Sequence, residues 1–130
     1  MKNLRFLVLS AVALCLLAVS AGCKNETPAF QVNDIVSDPG AFSGPLTVEG
    51  IAYGYSQADA TVVGIMDKKE LQCTTPNCKK ALIAVKINGS RPAIGDEVRI
   101  SGSFTREPWG YLFHAKEMEV LANHRLGGQG

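Results

Sequence analysis

The sequence predicts an all-β domain, a five-stranded barrel behind a removable leader, and three observations carry that expectation. Five segments between residues 46 and 121 show strand patterning and are separated by Gly- and Pro-containing turns. Glycine falls inside three of those strands, at Gly50, Gly64 and Gly102, as bent strands in a small barrel require. No stretch of the remaining chain carries the 3.6-residue period of a long helix.

The chain has 130 residues and opens with Met1-Lys2-Asn3-Leu4-Arg5, a short basic segment. An apolar run from Phe6 to Val19 follows, broken only by Ser10, and then the small residues Ser20-Ala21-Gly22 and Cys23. Basic, apolar, then small is the layout of a secretory signal. A helix of about 14 residues rises roughly 21 Å, short of a hydrocarbon core of about 30 Å, so a removed signal is favoured over a permanent span. Val19-Ser20-Ala21-Gly22-Cys23 resembles the lipobox of bacterial lipoproteins. The resemblance implies cleavage before Cys23, diacylglycerol on its sulfur and an acylated new N-terminus. It also implies the cell envelope as location, at the periplasmic face, with Lys24 pointing to the outer membrane rather than the inner. Several acyl chains, at ~0.8 kcal/mol per buried CH₂, make a stable anchor. The alternative is an ordinary signal cut near Gly22.

Removing residues 1–22 takes Lys2 and Arg5 away and leaves 108 residues, one domain's worth, with a net charge near −1. A nucleic-acid binder usually carries a basic surplus for phosphate contacts, so nucleic acid is disfavoured as a partner. Residues 23–29 read as a polar tether, 30–121 as the barrel domain and 122–130 as a Gly-rich tail expected to be disordered.

Val32-Asn33-Asp34-Ile35-Val36-Ser37 has apolar residues spaced for one or two helical turns, ended by Asp38-Pro39-Gly40. Gly44-Pro45 marks a further turn. The strands follow: 46–53 with Gly50 at its middle, 61–67, 81–87, 98–104 and 111–121. The fourth alternates strictly, with Val98, Ile100, Gly102 and Phe104 on one side. The fifth has a mixed pattern that predicts a bulge, and 106–110 between them reads as a loop.

Val48-Glu49-Gly50-Ile51, Gly64-Ile65-Met66-Asp67 and Gly95-Asp96-Glu97-Val98-Arg99-Ile100-Ser101-Gly102 together resemble the OB-fold, closest to small bacterial OB modules of the anticodon-binding-like class. The resemblance spans roughly residues 30 to 121 and implies an OB-like barrel. It departs in one respect. No helix is evident between the third and fourth strands, and the short helical stretch precedes the first strand instead.

Of four cysteines, Cys15 leaves with the signal, Cys23 takes lipid, and Cys73 and Cys78 remain. A pair in an exported domain reads first as a disulfide. Thr75-Pro76-Asn77 between them reads as a turn that could bring them within bonding reach, and so short a loop adds roughly 2 kcal/mol. A soft metal such as copper or zinc is the alternative, with Met66 or His114 as further ligands, since C-x₄-C supplies only two. Nearby Lys68, Lys69, Lys79 and Lys80 oppose a cation. A thiol–disulfide exchange role lacks the C-x-x-C spacing, and no cofactor is implied.

In an OB-like barrel the first-to-second and fourth-to-fifth strand loops flank the binding face. Tyr55 and Trp109 fall in those loops, Tyr53 and Tyr111 stand at the ends of the adjoining strands, and Arg106 and Glu107 lie beside Trp109. Aromatic residues so placed can stack on a ligand or anchor a protein partner, although Trp109 could simply cap the barrel. No catalytic motif is present, and a non-catalytic binding module for an envelope protein or a small ligand is the expectation.

Overall fold

The computed structural model describes residues 27–73 and 78–126. The leader, Cys23 and residues 127–130 lie outside the described residues. The elements run β1 (Ala29–Gln31), α1 (Val32–Ile35), β2 (Leu46–Tyr55), β3 (Val62–Met66), β4 (Leu82–Lys86), β5 (Asp96–Glu107) and β6 (Gly110–Asn123). Single 3₁₀ turns occupy Pro39–Ala41 and Lys68–Gln72.

One sheet of six strands in the order β1-β2-β3-β4-β6-β5 closes on itself through a further β2–β5 pairing. Only the β4–β6 and β1–β2 pairs are parallel. The ring β2-β3-β4-β6-β5 is the expected five-stranded OB-like barrel, and β1 is an added strand on the edge of β2. β1 is three residues long, too short to show a period in sequence, and it makes Ala29 a partner of Thr47 rather than the last residue of a tether.

Closure depends on the bend of β2. Residues Leu46–Ile51 pair with β5, and Ile51 onward pairs with β3. Gly50 sits at that handover. A Cβ there would lie 2.6 Å from the Met66 carbonyl oxygen and 2.9 Å from Val32 Cγ2, so glycine alone lets β3 and α1 come this close. The bulge itself comes three residues later, where the register shifts between Ala52 and Gly54. β6 carries register shifts opposite Ser101/Gly102 and Glu97/Val98, the irregularity its mixed pattern predicts. At the first of these, a Cβ on Gly102 would collide with the His114 carbonyl.

The core is filled by alternate residues of every barrel strand, among them Val48, Val63, Ile65, Val85, Val98, Ile100 and Phe113. Val32 and Ile35 of α1 are buried with them, so the short helix ahead of the barrel takes up part of the packing a helix between β4 and β5 would give. The connection from β4 to β5 is helix-free. Asp67, 1% exposed, ties α1 to the barrel. Its carboxylate accepts the Asn33 N–H at 2.8 Å and the Lys69 N–H at 2.9 Å, serving both short helical turns at once.

β5 and β6 outrun their expected limits. Arg106 is a strand residue opposite Tyr111, because the loop between the strands is only Pro108-Trp109. Ala122 and Asn123, expected in the tail, complete β6, and the His124 N–H donates to the Gly95 carbonyl at 2.7 Å. Glu97, 8% exposed, holds this end closed. It bonds His124 Nε2 at 2.8 Å and Lys68 Nζ at 2.9 Å, and these two contacts keep its carboxyl below its ordinary value of 4.5.

Replacing Asp67 by Ala strands two backbone donors and should cost about 2–3 kcal/mol in urea unfolding. Because Glu97 is depressed in the folded state, its contribution is present above pH 4.5 and fades as pH falls through its lower folded value. Glu97→Gln should therefore be less stable than the parent at pH 7, and the gap in urea midpoint should shrink steadily below pH 4.5.

Candidate functional site

The bulge in β2 decides where its tyrosines go. Tyr55, opposite Val63, packs against the core, and its hydroxyl donates to the Pro92 carbonyl at 2.5 Å. Tyr53, the residue the register skips, stands on the outer face at 43% exposure. Beside it a row runs across four strands: Gly54 pairs with Gly64, Gly64 with Ala84, and Ala84 with Leu112. Three of these four residues have little or no side chain; Leu82 leans over Gly64, its Cδ1 3.2 Å from where a Cβ would sit, and Gly54 lies bare.

That strip is the floor of an open cleft of about 770 Å³. Its walls are Tyr53, Tyr55, Leu82 and Trp109, with Ser56, Asp59 and Glu107 at its margins. Leu82 is 40% exposed and Trp109 64%, the most exposed large apolar residue of the described chain. Trp109 stands at the tip of the β5–β6 hairpin, whose loop has no further residues to fold it away. A second hollow of about 290 Å³ shares Leu82, Ile83, Ala84 and Trp109 with the first and is further lined by Val36, Phe104 and Tyr111.

The charges near the cleft divide into engaged and open ones. Asp59 accepts Lys86 Nζ at 2.6 Å and both the N–H and hydroxyl of Thr61. The Lys86 bond first, then those of Thr61, hold its carboxyl well below the usual carboxylate range. Glu107 accepts the Thr105 hydroxyl at 3.1 Å. Lys80 Nζ lies 4.8 Å from the Tyr53 ring centroid, and the Arg91 guanidinium carbon lies 4.1 Å from that of Tyr55.

Of the aromatic set read from sequence, Tyr53, Tyr55 and Trp109 meet in the cleft. Tyr111 lines the neighbouring hollow and stands edge-on to Phe104, centroids 6.4 Å apart. Arg106 lines neither. The alternative metal set is not gathered. Met66 is fully buried, His114 Nε2 bonds the Thr105 hydroxyl at 2.8 Å on an exposed face, and Cys73 and Cys78 are disulfide-paired with Cα atoms 6.4 Å apart. That separation falls inside the range disulfides span. Among the described residues no group of three or more His, Cys, Asp and Glu side chains is placed to hold a metal.

Leu82 and Ala84 belong to the site and were not singled out in the sequence. Their roles depend on cross-strand register, which no local pattern reports.

No protein-family model matches the chain, and no curated protein matches it. Among solved structures, it is similar to a chain of a replication protein A heterotrimer bound to ssDNA, at 16% identity and a TM-score of 0.40, over 65% of this chain and 63% of that one. So slight a likeness says nothing of what this barrel binds. The barrel is OB-like by its own hydrogen bonding.

A Cβ on Gly54 would meet nothing within 4 Å. Gly54→Val should therefore fold with unchanged or higher stability, by up to ~1 kcal/mol from the better strand former, while filling the floor. The urea midpoint reports the first effect.

Proposed function

We propose that this chain is a lipid-anchored protein of the cell envelope whose barrel serves as a non-catalytic binding module, receiving a protein side chain or a small ligand in the cleft. The observation that carries the binding half is Trp109. A tryptophan 64% exposed on a two-residue hairpin loop, over an apolar floor, costs solvation in isolation and gains it back when covered. The cleft is concave, apolar-walled and edged by a few polar groups, the usual make-up of a binding site. The mature charge near −1 gives no electrostatic support for nucleic acid. The anchoring half rests on the lipobox-like residues 19–23.

Each half has its own test. Intact-mass analysis of native protein from the membrane fraction should show a chain beginning at an acylated Cys23 and two hydrogens lighter than the dithiol. Full-length unmodified protein in the cytosol would overturn the anchoring reading. For binding, a photo-crosslinking side chain at Ala58, which lines the cleft, should capture a defined species in whole envelopes. That capture should be lost in both Trp109→Ala and Gly54→Val. Capture by both variants at the level of the parent would sink the cleft as the binding site.

A further inference from the structure

We infer that the cleft takes a small organic cation: a flat apolar body carrying an ammonium group, with its charge at the Trp109 and Glu107 end. This rests on the binding reading above and adds the class of ligand.

The observation is a carboxylate without a counter-ion beside an open ring. Two acids line the cleft, Asp59 and Glu107, and no lysine, arginine or histidine lines it. Asp59 is neutralised by Lys86, whose Nζ lies 2.6 Å away. Among the described residues Glu107 is in no ion pair. Its Oε1 accepts the Thr105 hydroxyl, and no described residue donates to its Oε2. Thr105 and Glu107 share a face of β5, so Arg106 between them takes the opposite one and does not offset the charge from within the cleft.

Trp109 supplies the other half. It is 64% exposed and stands at the tip of the hairpin whose first strand ends at Glu107. Of the aromatic side chains, tryptophan offers the ring face that attracts cations most strongly. The protein already uses two rings of this region in that way, with Lys80 on Tyr53 and Arg91 on Tyr55. Both of those rings belong to β2, at the far end of the row Gly54–Gly64–Ala84–Leu112. Three strand spacings, roughly 14 Å, separate that end from β6, so the Lys80 charge is remote from Glu107. Trp109 is the cleft ring that no cation of the described chain covers. One ammonium group satisfies both halves, donating to Oε2 while its charge rests on the indole. The Leu82 wall and the Gly54–Gly64–Ala84 strip take the apolar body, in a cleft of about 770 Å³ that suits a small molecule.

Three probes of one shape test this: 2-naphthylmethylammonium, 2-naphthalenemethanol and 2-naphthoate. Each is titrated into the full chain and followed by the indole N–H signal of Trp109, the protein's only tryptophan. The ammonium should bind about tenfold tighter than the alcohol, equivalent to ~1.4 kcal/mol, with the carboxylate weakest. Glu107→Gln keeps an oxygen for the Thr105 hydroxyl and removes the charge. In that variant the ratio of ammonium to alcohol affinity should fall to about twofold, the share left to the Trp109 ring. Glu117→Gln, at an exposed carboxylate of β6 outside the cleft, should keep the full ratio. An ammonium no tighter than the alcohol, a ratio that survives Glu107→Gln, or an equal fall in Glu117→Gln overturns the cation inference and leaves the cleft reading standing. No probe shifting the Trp109 signal overturns both.

Discussion

The barrel hangs on one strand that serves two partners. β2 gives its first half to β5 and its second to β3, with Ile51 paired to both. Without a sharp bend at that point the sheet would stay open and its edges unpaired. Gly50 permits the bend, and α1 packs Val32 against the same spot. The bulge three residues beyond Gly50 in the same strand is also what turns Tyr53 outward, so the strand that closes the barrel also shapes the cleft.

Much of this frame is legible in the chain. The alternation of Val98, Ile100, Gly102 and Phe104 names the inner face of β5 without a structure, and the irregular apolar spacing of residues 111–121 foretells a bulged partner. β1 is invisible because three residues carry no period, and its place is decided by the free edge of β2. Arg106 misleads for a different reason. Proline at 108 suggests a wide loop, yet it occupies a tight hairpin tip and lets β5 run on to Glu107. Gly64 looks like an ordinary strand glycine, and Gly54 falls just past the expected end of its strand. Their meaning appears only when register places them opposite one another.

The buried acids explain why charge is so evenly spent. Asp67 answers two backbone donors, Asp96 accepts the Ala93 N–H and the Asn123 amide, and Glu97 meets Lys68 and His124. All three serve the frame, and the Gly95-Asp96-Glu97 run that marks the OB-like pattern is a joint between β5 and the end of β6. Lys80 and Arg91 stand apart from that economy, resting on rings instead of carboxylates.

The cleft floor is mostly main chain, and its N–H and C=O groups are committed to the ladders of β2, β3 and β4. A molecule lying on it finds no partner there for its own polar edges and no side chain whose replacement could retune the bed gently. Discrimination between guests would then fall to thickness and outline, set by how far Tyr53, Leu82 and Trp109 rise above the strip. Sequence drift at those three rims could change what fits while the barrel beneath stays as it is.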